Sequence, residues 1–136
     1  MTNFLKSNDT GILIIRIAVG VLLPFHGYSK LISRIDWMAP MLNEFGIPPF
    51  VGYGVYIGEI IAPICLLIGF RTRIAGLIVA IDLFMAIFLV LREKVFTLNA
   101  GGGWTIELEI LFLLSGLALF FTGGGKHSVS AKSRWD

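Results

Sequence analysis

Four continuous apolar runs, each close to 20 residues long, constrain this chain more than anything else in it. They cover 11–33, 50–70, 74–91 and 104–122. A hydrocarbon core ~30 Å thick is crossed by ~20 residues at a 1.5 Å rise. Lipid offers the backbone no hydrogen bonds, so only helices and closed barrels cross it. These runs do not alternate, so they read as helices. The expected fold class is all-α: a four-transmembrane-helix bundle, a multi-pass helical integral membrane protein with one domain over 1–136.

Composition agrees. Charged residues make up 15% of the chain and hydrophobic ones 56%, with a mean hydropathy of +0.84. That leaves too little polar surface for a water-soluble globule, which is typically ~25% charged. The net charge of +2 is small and no basic run interleaves with aromatics, which speaks against nucleic acid. Cys65 is the single cysteine, so an internal disulfide and a CxxC site are both excluded. The first run is longer than the apolar part of a signal peptide, carries Arg16 and has no A-x-A site after it, so it is expected to stay as a membrane helix.

The connectors punctuate the runs. Residues 34–49 hold Trp37, Pro40 and the turn Gly46-Ile47-Pro48-Pro49, with room for a short interfacial helix over 37–45. Arg71-Thr72-Arg73 is so short that the second and third helices form a tight hairpin. Residues 92–103 end in three glycines, and 123–136 read as a flexible polar tail. Lysine and arginine set orientation. Lys6, Arg71, Arg73, Lys126, Lys132 and Arg134 share one side, against Lys30, Arg34, Arg92 and Lys94 on the other. The bias puts both termini in the cytoplasm, in the inner or plasma membrane of the cell.

Ionisable groups inside the runs carry the functional information. A charge at mid-bilayer costs ~2.5–3.5 kcal/mol on insertion scales, so such groups face the bundle interior and find partners. His26, the one histidine expected to be buried, and Glu59 lie at depths that agree within a turn. Lys30 is one turn further out on the face of His26, and Glu107 enters the fourth run from the same side. His26, Lys30, Glu59 and Glu107 are therefore expected to form a polar pocket in the outer half of the bundle. Arg16 can reach inward to Glu59, sideways to Asp82, or snorkel to the inner interface; Arg16 and Asp82 are expected to form a structural ion pair. Glu109 lies two residues from Glu107, about 160° away around a helix, so it is expected at a subunit interface or near water. One histidine among scattered carboxylates gives no metal site. Gly54 and Gly58 form a GxxxG pattern beside Glu59, where small residues let helices approach. Pro24 and Pro63 are expected to kink their helices.

At these residues the sequence resembles the DoxX family of small membrane proteins, which includes DoxD-like subunits of thiosulfate–quinone oxidoreductases. Leu13-Ile14-Ile15-Arg16-Ile17-Ala18-Val19-Gly20 carries the family's arginine. His26-Gly27-Tyr28-Ser29-Lys30 matches its His-Gly-x-x-Lys. Gly69-Phe70-Arg71-Thr72-Arg73 matches its Leu-Gly-x-x-Thr-Arg hairpin from the glycine on. Gly123-Gly124-Gly125 stands at its Gly-Pro-Gly. Two further departures are Pro63, where a glycine is common, and Asp82, in a segment the family keeps apolar. The resemblance implies a four-helix membrane bundle serving as an accessory or quinone-linked subunit of a redox or stress-response complex. The chain has no haem, flavin, iron–sulfur or nucleotide motif. It is not expected to be catalytic alone: no cofactor is intrinsic, quinone is the cofactor the reading allows, and electrons would come from a soluble redox partner. Two alternatives stay open. One is a homo-oligomeric carrier or binding protein for an amphipathic molecule, and the other a scaffold whose partner is membrane lipid alone.

Overall fold

The computed structural model describes residues 7–136, which leaves Lys6, one of the charges used for orientation, outside the described residues. Within them the chain is all-helical, without a strand beyond an isolated bridge between Leu98 and Trp104. The helices are α1 (Asn8–Ser33), α2 (Met38–Glu44), α3 (Pro49–Ile68), α4 (Thr72–Leu89) and α5 (Glu107–Thr122). Three of them, α1, α3 and α4, are long and apolar enough to cross a membrane. With 16 residues, α5 is shorter than the run that announced it, because Trp104, Thr105 and Ile106 belong to the preceding loop.

Glycines decide how closely the helices pack. A Cβ on Gly20 would stand 2.9 Å from the Pro63 carbonyl oxygen, and one on Gly27 3.1 Å from that of Glu59. These contacts run α1 antiparallel to α3. Gly76 and Gly116 do the same for α4 and α5: a Cβ on either would come within 2.7 Å of the other's carbonyl oxygen. Around these crossings Val19, Leu23, Leu66, Val79, Leu83, Phe112 and Leu119 form the buried core. Ile14, Phe25, Ile32, Phe84, Leu111 and Phe121 are exposed on the outside. An apolar interior inside an apolar exterior is how a chain solvated by hydrocarbon is built, since water-soluble monomers rarely expose large contiguous apolar surface.

The proline in α3 acts through the turn before it. Pro63 has no N–H to donate and its ring crowds the preceding turn. The helix widens there into a π-helical segment, Ile57–Ile61, with the Ala62 N–H donating back to the Ile57 carbonyl. Glu59 sits in the middle of that widened turn. Such single π-turns concentrate at functional sites.

Residues 123–136, expected to be flexible, fold back over the end of the bundle where α1 starts and α3 turns into α4. Asp136 Oδ1 accepts the Thr72 N–H at 3.0 Å, at the first turn of α4, and Ser128 donates to the other carboxylate oxygen. Arg73 reaches the Asp136 carbonyl (3.1 Å) and those of Phe120 and Phe121 (2.8 and 2.7 Å). Arg71 donates to the Ser133 hydroxyl at 2.7 Å. Partial burial works against ionisation of Asp136, but donation from Ser128 and from the Thr72 backbone outweighs it and holds the carboxyl below the usual range. Polar composition suggested a free tail; the unpaired N–H groups at the start of α4 and the two arginines of the hairpin hold it.

Candidate functional site: a cavity at the end away from the tail

Away from the tail, α1, α3, α4 and α5 are joined by α2. Between them is a cavity of about 450 Å³. Its walls are apolar: Leu23 from α1, Met38 and Met41 from α2, Val55 from α3, Met85 and Leu89 from α4, Phe112 from α5. Its polar lining is His26 and Lys30 from α1, Glu59 from α3, Asp82 from α4 and Glu109 from α5.

The strongest contact in the cavity is an ion pair. Lys30 Nζ lies 2.5 and 2.6 Å from the two oxygens of Glu59. The Glu59 side chain is 4% exposed, while that of Lys30 is 25% exposed. So the carboxylate is fixed inside, and the lysine reaches down to it from the rim. Tyr56 strengthens the arrangement by donating its hydroxyl to the Lys30 carbonyl at 3.2 Å. Lys30 sits in the last turn of α1, where a cation also complements the helix dipole.

Of the four residues expected to form the pocket, the structure brings three to one cavity. Lys30 and Glu59 are bonded to each other. His26 lines the same space but is exposed rather than buried, with its ring edge-on to Phe112 at 6.0 Å between centroids. Glu107 is not part of it. As the first residue of α5 it is exposed, and its carboxylate takes a long contact of 3.5 Å from Asn99 in the loop. Two residues on, Glu109 turns into the cavity instead. The expectation placed the two glutamates on opposite faces and chose the wrong one, because a helix apolar on every side has no hydrophobic stripe to fix its rotation.

The Arg16–Asp82 ion pair is also not formed. Arg16 is 1% exposed, yet its guanidinium binds carbonyls: Nε to Leu66 at 2.8 Å, Nη1 to Gly124 at 2.9 Å, Nη2 to Leu67 at 3.3 Å. Those of Leu66 and Leu67 belong to the last turn of α3, where i+4 donors run out; that of Leu66 also takes the Gly69 N–H at 3.2 Å. They satisfy the arginine without a carboxylate. Asp82 lies toward the other end, against Gly58, where a Cβ would overlap its side chain and stand 2.7 Å from Oδ1.

Residues 11–92, more than half of the chain, match the family model described as DoxX. The chain belongs to the DoxX family. A protein of Bacillus subtilis (strain 168) named "Putative oxidoreductase CatD" is 30% identical over 118 residues, which cover 87% of this chain and 83% of that relative. No solved structure matches. The DoxX match holds Arg16, His26, Lys30, Glu59 and Asp82; Glu109, on α5, lies beyond it.

Asp82 and Glu109 are the cavity residues that sequence reasoning missed. The signal for Asp82 was the glycine next to Glu59: a residue without a side chain beside a buried acid leaves space that something must fill. Within the GxxxG pattern of this DoxX chain only Gly58 is tightly packed, since nothing lies within 4 Å of a Cβ on Gly54. Gly58→Ala is therefore expected to destabilise by ~1–3 kcal/mol through overpacking against Asp82. Gly54→Ala is expected to be neutral or slightly stabilising, since alanine is the better helix former by up to ~1 kcal/mol. Denaturant unfolding in detergent compares the two.

Proposed function

We propose that this chain is a four-span subunit of a redox complex in the cell membrane, and that its cavity holds the head group of a quinone reduced with electrons from a partner protein. The observation that carries this reading is the cavity itself: apolar walls around a buried carboxylate–lysine pair, at the end of the bundle away from the tail. Its volume falls within the ~300–1,000 Å³ of small-molecule sites, which are mostly apolar with a few placed polar groups. The kinship to a protein named as an oxidoreductase supports the same direction.

Packing supports the reading of four crossings. α5 runs antiparallel to α4 through Gly76 and Gly116, so it lies at the same depth as a helix able to span. The start of α1, the tail and the hairpin arginines gather at one end, and the positive charge there favours the cytoplasm for it. The cavity then opens on the opposite side of the membrane.

A quinone supplies two-electron chemistry with two protons, and everything else falls to the protein. Leu23, Met85 and Phe112 offer an apolar bed for a ring. Lys30 presents an ammonium to a carbonyl oxygen while Glu59 holds it in place. His26, with no hydrogen-bond partner among the described residues, is placed to carry protons between the cavity and the exposed face of α1. No redox group is built into the chain, so electrons enter from a partner.

The test is native purification from membranes, with bound proteins and lipids identified. Wild type is expected to retain a quinone and a soluble redox protein. Ala86→Phe, which fills the cavity from α4 without touching its polar groups, is expected to lose the quinone and keep the partner. Recovery of neither ligand nor redox partner with folded wild type overturns the reading.

A further inference from the structure

The hydrogen-bonding inventory of the cavity is lopsided. Lys30 commits its ammonium to both oxygens of Glu59. Facing the same space are Asp82 and Glu109, from different helices, and each has a buried carboxyl oxygen with no partner among the described residues: Oδ2 of Asp82 and Oε2 of Glu109. A buried polar atom left unpaired costs roughly 1–3 kcal/mol, and native structures rarely tolerate one without a reason. Here two occur in one cavity. Both are acceptors. An ionised carboxylate only accepts, and a protonated one still keeps an accepting oxygen, so in either state each carboxyl can take a ligand hydroxyl.

From this we infer that the cavity selects the reduced, hydroxyl-bearing form of its aromatic ligand, with Asp82 and Glu109 accepting from its hydroxyl groups. The inference rests on the quinone reading above and specifies which redox form the site prefers. A quinone presents two carbonyl oxygens, which accept only, and brings nothing that Asp82 or Glu109 lacks. A hydroquinone presents two O–H donors at opposite ends of a ring and satisfies both orphaned oxygens. Sites built to pair a ligand hydroxyl discriminate strongly against analogues without it, because the loss leaves buried groups unpaired.

The position of Asp82 is specified by more than its own residue type. Its side chain occupies the space that Gly58 leaves open, beside the π-turn that carries Glu59. Its carboxyl is thereby held next to the Lys30–Glu59 pair instead of swinging away from it. Glu109 enters from α5, one turn before Phe112, whose ring lines the cavity. Two acceptors on separate helices of one cavity with apolar walls suit a flat ring with a hydroxyl at each end.

The experiment compares decylubiquinone with its hydroquinone, under anaerobic conditions, by titration against the full chain in lipid nanodiscs. Wild type is expected to bind the hydroquinone at least tenfold more tightly. Asp82→Leu, which removes the acceptor, is expected to bring the ratio to within about threefold of unity, chiefly by weakening hydroquinone binding. Asp82→Asn, which keeps an acceptor oxygen, should retain part of the preference and serves as the variant of choice if the leucine fails to fold. Equal or tighter binding of the quinone by wild type overturns this inference and leaves the proposed function standing. Binding of neither form overturns both.

Discussion

Lys30→Met is expected to destabilise the folded chain by about 3–5 kcal/mol, and Glu59→Gln by much less. Breaking a buried pair leaves an uncompensated charge, and the cost depends on which partner stays behind. With Lys30 removed, Glu59 stays in the wall of the cavity, its side chain 4% exposed, with both former donors gone. With Glu59 made neutral, Lys30 has an alternative: its side chain is already 25% exposed, and the long stem lets the ammonium move out to water. An amide at position 59 also still offers an acceptor. The double variant Lys30→Met with Glu59→Gln is expected to recover most of the loss, because no charge is then left alone. Denaturant unfolding of all four proteins in one detergent closes the cycle and isolates the coupling. Equal losses in the two single variants, with no recovery in the double, would show that the pair does not sit in a shielded environment.

This pair was legible in the sequence, and the reason is geometric. His26 and Lys30 are four residues apart on one helical run, and Glu59 lies at a matching depth in the next. Rise per residue fixes depth well. It fixes rotation badly when a helix is apolar all round, and that is where the reading went astray. Glu107 and Glu109 were correctly placed on opposite faces, but nothing in 104–122 said which face was inward. The helix begins at Glu107, after a loop that holds Trp104 Nε1 on the Val95 carbonyl at 2.5 Å. The other failures share a cause. Arg16 and Asp82 were paired because each is a charge needing a partner, and charge alone ignores the carbonyls at helix ends. Residues 123–136 looked free because their composition is polar. The N–H groups exposed at the start of α4 and the arginines of the hairpin make them a cap instead. Backbone groups left over at helix termini are invisible in a residue-by-residue reading, yet they decided both the partner of Arg16 and the position of the tail.

Arg16 therefore provides the second large effect, and it separates carbonyl binding from ion pairing. Its guanidinium ties three segments together: α1, which carries it; the last turn of α3, through Leu66 and Leu67; and the tail, through Gly124. Hydrogen bonds from a charged group contribute roughly 1.5–3 kcal/mol each. Arg16→Ala is thus expected to cost on the order of 4 kcal/mol and to loosen the tail. Lysine offers a compact ammonium where the site is shaped for a planar fork of donors. Arg16→Lys should accordingly lose nearly as much, although the charge is kept. Asp82→Asn, by contrast, should cost far less and leave the tail in place, since Asp82 does not touch the arginine. Unfolding midpoints report the first effect. The emission of Trp135, with Trp37 and Trp104 replaced by phenylalanine, reports the second: it should shift to the red in both Arg16 variants and stay in place in Asp82→Asn. Were Arg16 held by a carboxylate across the bundle, the pattern would invert, with lysine tolerated and Asp82→Asn as harmful as the loss of the arginine.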